Sequence, residues 1–168
     1  MSTTRTLALV AAAFFLLAPV AHAEQEDLFR PLFSSIMVGA SLPANEDFEG
    51  GSECIFVWGF MENPYFGWQM ELGGVAVSDD NDNGGTFYDI AASIKLALPI
   101  AFIEPYLLGG AGVGYEGPHW GFPLYAAVGI DFNFGKVLVG AEARQVWLEV
   151  DGRDYDALLV MSKFGFRF

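Results

Sequence analysis

The chain has 168 residues, of which 53% are hydrophobic and 15% aromatic, and a formal net charge of −13. One cysteine, Cys54, excludes an internal disulfide, and the acidic balance argues against nucleic-acid binding, which needs Lys and Arg for the phosphates. After the first 23 residues no stretch approaches the roughly 18 to 20 apolar residues of a membrane-spanning helix. The hydrophobicity is therefore spread over short pieces, and with 20 glycines between them those pieces read as β-strands of a single domain.

Residues 1–23 hold Arg5, an uncharged apolar stretch from Leu7 to Val20, and a small-x-small ending at Ala21-His22-Ala23. This is the pattern of a cleaved secretory signal peptide. No cysteine stands at the cleavage point, which disfavours a lipoprotein. Removing the signal takes away Arg5 and no acid, so the remaining chain is more acidic still. Residues 24–31 form a short N-terminal segment, and 32–168 carry the strands.

Eight strands follow in order. In Phe33 to Leu42, Ile36, Val38 and Ala40 oppose Ser35, Gly39 and Ser41, whereas Glu53 to Met61 is apolar on both faces. In Tyr65 to Val77, Trp68, Met70 and Leu72 oppose Gln69 and Glu71; in Tyr88 to Leu98, Ile90, Ile94 and Leu96 oppose Asp89, Ser93 and Lys95. Ile103 to Tyr115 sets Leu107, Ala111 and Val113 against Glu104, Tyr106, Gly110, Gly112 and Gly114. Leu124 to Phe134 sets Val128, Ile130 and Phe132 against Tyr125, Gly129, Asp131 and Asn133. In Val137 to Trp147, Val139, Ala141 and Ala143 oppose Gly140, Glu142 and Arg144, with Gln145 a misfit on the apolar side. The last strand, Leu158 to Phe168, alternates Phe164, Phe166 and Phe168 with Lys163, Gly165 and Arg167. A strand with one aromatic and one cationic face fits a wall between lipid and water, since a soluble core would bury the charge or wet the rings.

Short turns at Glu62-Asn63-Pro64, Pro99-Ile100-Ala101 and Gly135 alternate with longer polar links at about 43–52, 78–86, 116–121 and 149–154. Even strand number with this alternation predicts an all-β fold, an eight-stranded antiparallel up-and-down transmembrane β-barrel of the outer-membrane type. Both termini then lie with the short turns in the periplasm. The acidic segments Glu46 to Glu49, Ser78 to Gly85 and Glu149 to Asp154 face the cell exterior. Aromatics bunch at the strand ends, Phe66, Phe134, Phe166 and Phe168 at one and Tyr88, Tyr115 and Trp147 at the other, as interface girdles do. A soluble ligand-binding barrel such as a lipocalin would carry the opposite sidedness, apolar within and charged outside.

The whole stretch after the signal resembles the small outer-membrane barrels of the OmpA/OmpX type. Pro105-Tyr106 leading into Gly109 to Tyr115, Gly140-Ala141-Glu142-Ala143-Arg144 and the ending Gly165-Phe166-Arg167-Phe168 carry the resemblance through their order and spacing. It implies that Phe164, Phe166 and Phe168 are the terminal signal read by the barrel-assembly machinery. No peptidoglycan-binding domain follows Phe168, which removes the tethering role of two-domain relatives. The inward titratable set is Glu71, Asp89, Lys95, Glu104, Asp131, Glu142, Arg144, Lys163 and Arg167. Charges confined in so narrow a lumen must pair, and the resemblance implies a lumenal ion-pair plug, assigned to Glu71, Lys95, Glu142, Arg144 and Lys163. If the last hairpin is symmetric, Glu142 lies across from Lys163, with Arg144 one layer higher.

The expected role is that of a structural or surface-interaction protein in the Gram-negative outer membrane, in contact with its lipids and lipopolysaccharide. The extracellular loop partner is left unnamed and no cofactor is expected. The alternatives are a small gated pore, whose ion pairs exchange to pass ions, and a lipid A-modifying enzyme. Small deacylase and palmitoyltransferase barrels need a positioned His with a Ser. After the signal the only histidine is His119, and Gly121 stands where a His-x-Ser element would place the serine. Asp79 to Gly84 matches half a calcium loop, with Ile90 in place of its bidentate Glu, and reads as a solvated hairpin tip.

Overall fold

The computed structural model describes residues 30–44, 48–49, 51–79, 84–117, 119–150 and 153–168. The signal reading of 1–23 and most of the acidic loop residues lie outside them. The elements are β1 (Leu32–Pro43), β2 (Phe48–Glu49), β3 (Ser52–Asn63), β4 (Phe66–Asp79), β5 (Gly84–Ala97), β6 (Ile103–Glu116), β7 (His119–Gly121), β8 (Leu124–Phe134), β9 (Val137–Val150) and β10 (Arg153–Arg167). Eight of these are long, and each pairs antiparallel with the next. The wall closes where β10 returns to β1, in a ladder from Phe33 opposite Arg167 to Pro43 opposite Ala157. The fold is a closed eight-stranded antiparallel β-barrel, as the alternation of faces predicted.

Closure fixes the dimensions. A row of ladder partners starting at Leu32 passes Phe60, Trp68, Ile94, Gly109, Ala126, Gln145 and Leu158. It meets β1 again at Leu42, ten residues above its start. With a rise of about 3.3 Å per residue and a spacing of about 4.8 Å between strands, that shift tilts the strands by about 40° and gives a backbone radius of about 8 Å. The outward residues of the last strand, Leu158 to Phe168, then span about 25 Å along the axis, the height of an outer-membrane apolar band.

The two faces have the polarity of a lipid-facing wall. Val38, Phe56, Leu72, Ile94, Leu124 and Val160 are among many large apolar side chains left about half exposed on the outside, while Lys95, Asp131 and Gln69 are fully buried inside. β3, apolar on both faces in sequence, resolves in the same way: Phe56 and Trp58 point out, and Glu53, Ile55, Val57 and Met61 point in. Gln145 stays on the outward face, its amide making one long bond of 3.4 Å to the carbonyl of Val146.

An interior this narrow cannot hold a large side chain from every strand, so bulky residues lie over glycines of the adjacent strand. Phe33 covers Gly59, Tyr106 covers Gly129 and Tyr125 covers Gly110, and a Cβ at any of these glycines would collide with the ring. At the short-turn end, Asn63 Oδ1 accepts the N–H of Tyr65 at 2.9 Å and of Phe66 at 3.0 Å, setting the β3–β4 hairpin. Gly135, at φ 66°, supplies the left-handed residue of the β8–β9 turn.

At the other end, pairing continues further than composition indicated. Ser78 still pairs with Gly84 and Val150 with Arg153, because polar composition marks contact with water and not the end of a ladder. The link at 116–121 contains a strand. β8 begins only at Leu124, opposite Ala111, leaving the top of β6 without that partner. β7 takes its place, pairing Gly114 with Gly121 and Glu116 with His119, and Gly121 joins on to Val150 of β9.

Candidate functional site

The buried charges of the lumen form two layers. In the layer nearer the short turns, Lys95 on β5 donates to Glu104 Oε1 and Asp131 Oδ2, both at 2.8 Å. Lys163 on β10 reaches Asp131 Oδ1 at 3.1 Å, and Arg167 donates to the same Glu104 oxygen. The Tyr106 ring adjoins both lysines, with Lys95 Nζ 4.4 Å and Lys163 Nζ 4.3 Å from its centroid. Both ammonium groups thus gain a π face as well as carboxylates.

The second layer is built on Arg144 of β9. Its guanidinium bonds Glu71 through Nη1, and donates from Nε to Glu142 Oε1 at 2.8 Å. It also lies 4.3 Å from the Tyr125 ring centroid. Glu71 further accepts from Gln69 at 2.8 Å, Ser93 at 3.1 Å and the Tyr125 hydroxyl at 2.8 Å. A carboxylate with this many donors can stay ionised away from water. The layers join at one hydroxyl: Lys163 donates to Tyr106 Oη at 2.7 Å, and that hydroxyl donates to Glu142 Oε2 at 2.8 Å. Hydrogen bonds therefore run without a break from Arg167 to Ser93.

Of the five residues assigned to a plug, Glu71, Glu142 and Arg144 meet directly, while Lys95 and Lys163 belong to the other layer and meet through Asp131. Glu142 is not across from Lys163. The β9–β10 ladder sets Lys163 opposite Gly140 and Glu142 opposite Met161, and Gly140 makes the room into which Asp131 projects toward Lys163. Phe164, Phe166 and Phe168 are exposed on the outer face, the first two in edge contact at 5.5 Å.

Two kinds of residue escaped the sequence reading. Tyr106 and Tyr125 were placed on inner faces without a role, although a hydroxyl among buried charges must find partners. Glu53 is inconspicuous in sequence because its strand is apolar on both sides; its shared parity with Ile55 and Val57 is the available signal. It is 6% exposed, and its Oε2 has no hydrogen-bond partner.

This arrangement is a continuous network of ion pairs and hydrogen bonds, in which the Ser93 hydroxyl donates to Glu71, a carboxylate already bonded by Arg144, Gln69 and Tyr125. His119 is exposed on β7, and Cys54 is exposed on the outer face. Among the described residues no group of three His, Cys, Asp or Glu could hold a metal ion.

No protein-family model matches the chain, and no curated protein matches it. Solved structures do. The crystal structure of Neisserial surface protein A superposes with a TM-score of 0.66 at 12% identity, covering 82% of this chain and 96% of that one. Ail, the attachment invasion locus protein of Yersinia pestis, gives 0.57 at 17% identity, covering 83% of this chain and 100% of its own. The same protein in complex with the heparin analogue sucrose octasulfate gives 0.52 at 16% identity, covering 82% and 99%. Likeness at these identities is a likeness of fold.

Proposed function

We propose that this chain is a small Gram-negative outer-membrane barrel with a structural and surface-interaction role, its lumen plugged by ion pairs, and that it is not an enzyme. The observation that carries this reading is the inverted polarity of the wall. Large apolar side chains cover the outside, while Lys95, Asp131, Glu142, Arg144 and Lys163 are buried inside. Only a surrounding of hydrocarbon makes that distribution favourable, and a closed barrel is the one sheet that leaves no unpaired edge in it. The secretory signal over residues 1–23 would deliver the chain to the envelope. Both termini then stand in the periplasm with the short turns, and the acidic loops face the exterior.

On this reading the outer face meets lipid and lipopolysaccharide, and Phe164, Phe166 and Phe168 serve the barrel-assembly machinery before they serve as lipid contacts. The neighbour Ail is crystallised with a heparin analogue. The net charge of −13 disfavours so anionic a ligand for the present loops. The test is the gel migration of an outer-membrane fraction: the unheated protein is expected to run as a compact species that shifts on boiling. A chain that stays in the soluble periplasmic fraction, with no heat-dependent shift, contradicts the proposal.

A gated pore is the second reading, favoured by the sharing of Glu142 between Tyr106 and Arg144, which offers a partner to exchange. Single-channel recording on the refolded protein separates the two. A plug gives no conductance, either in wild type or in Glu142→Ala.

A further inference from the structure

Charge is unevenly divided along the lumen. In the layer nearer the short turns three cations, Lys95, Lys163 and Arg167, answer two acids, Glu104 and Asp131. Toward the long-loop end four inward acids, Glu53, Glu71, Asp89 and Glu142, face Arg144, the one cation there among the residues whose side chains are described. Arg144 is already bonded to Glu71 and Glu142.

The two remaining acids share a level. Ile55, Gly73 and Asp89 lie in one ladder row, and Glu53 is two residues above Ile55. Rows climb the barrel by a little over one residue per strand, because a full circuit climbs ten, so the two strands from β3 to β5 raise Asp89 to the height of Glu53. Gly73 between them admits the Asp89 carboxylate, whose Oδ1 occupies the space of a Cβ. Glu53 is within electrostatic reach of Asp89, Glu71, Glu142 and Arg144. The Glu53 residue is more than nine-tenths buried, its Oε2 is buried and unpartnered, and no described cation forms an ion pair with it. Leaving such a group without a counter-charge is costly.

We propose that this end of the lumen binds an alkylammonium group, with Glu53 and Asp89 holding the charge and Phe87, Leu148 and Leu159 receiving the methylene chain. Those three side chains are buried. Phe87 lies two residues beyond Asp89 toward the long-loop end, Leu148 four beyond Arg144, and Leu159 stands opposite Arg144 on β10. Two carboxylates with the apolar side chains of Phe87 and Leu148 above them and Leu159 at their level suit a slim cation with a hydrocarbon tail, the end of a diamine or a lysine side chain. Two carboxylates without a third ligand do not suit a divalent metal. The site is a property of the lumen and holds whichever way the barrel sits in a membrane.

The experiment uses 1,4-diaminobutane with the full barrel in detergent, followed by thermal unfolding and by saturation-transfer NMR of the diamine methylenes. Wild type is expected to show a saturable rise in Tm in the millimolar range, beyond that of sodium chloride at equal ionic strength. Saturation should pass from aromatic protons to the methylenes. Glu53→Gln and Asp89→Asn should each weaken binding at least tenfold, while Glu149→Gln, at an exposed acid outside the lumen, should leave it unchanged. Equal responses in wild type and both lumenal variants would assign the effect to surface acids. No saturable response with no saturation transfer in wild type would mean that Glu53 is satisfied without a cation. Either result overturns the proposal, and the NMR arm needs no variant to fold.

Discussion

Removing Arg144 is the sharpest perturbation of the lumen. Arg144→Met keeps much of the side-chain volume but deletes the only described cation bonded to both Glu71 and Glu142, and the charge that lies over Tyr125. Glu71 keeps neutral donors from Gln69, Ser93 and Tyr125, and Glu142 keeps Tyr106. Two buried carboxylates then share one layer without a counter-charge, and breaking a buried pair in this way costs about 3–5 kcal/mol. Tenfold in an equilibrium constant corresponds to about 1.4 kcal/mol, so the unfolding equilibrium should move by about two to four orders of magnitude. Urea unfolding into and out of lipid vesicles, followed by tryptophan fluorescence, measures it. Because the pairs are buried, the loss should be nearly independent of salt. Adding Glu71→Gln and Glu142→Gln to Arg144→Met removes the stranded charges and should recover most of the loss. A cost below about 1 kcal/mol for the single variant, or a triple variant no more stable than the single, would refute the reasoning.

Val38→Arg puts a cation on the outward face near mid-wall and should cost about 2–4 kcal/mol in bilayers, read from the same urea curves. Gly129→Val drives a branched side chain into the Tyr106 ring and should cost about 1–3 kcal/mol while weakening the link between the two charged layers, seen as faster hydrogen exchange in β6 and β8. Deleting Phe168 should change the stability of the refolded barrel by less than about 1 kcal/mol, since the residue is exposed past the end of β10. Its amount in the outer-membrane fraction should nevertheless fall several-fold on immunoblots.

The strand count and the facing of nearly every side chain were legible because a period of two survives in sequence whenever one face meets lipid and the other a polar lumen. Lys163, Gly165 and Arg167 against Phe164 and Phe166 is enough to orient β10. Which inward charges meet was harder to read, because it depends on shear. Asp131 and Lys163 lie on strands separated by β9, and nothing local to either shows that Gly140 opens the space between them. Glu53 is hidden by Ile55, Val57 and Met61, which make the inward face of β3 as apolar as its outward face. β7 was missed for a different reason: His119 to Gly121 has no periodicity of its own and is recruited by the unpaired top of β6.

The central claim, that alternate residues of the wall face hydrocarbon and a charged interior, is tested most directly on β10. With Cys54 replaced by Ser, single cysteines from Leu158 to Arg167 can carry a spin label, and its collisions with oxygen in the bilayer and with a water-soluble nickel chelate can be compared. The outward sites Leu158, Val160, Ser162, Phe164 and Phe166 should show high accessibility to oxygen, and Leu159, Met161, Lys163, Gly165 and Arg167 low accessibility to both reagents. Accessibility without a period of two, or with the two sets exchanged, would contradict the account.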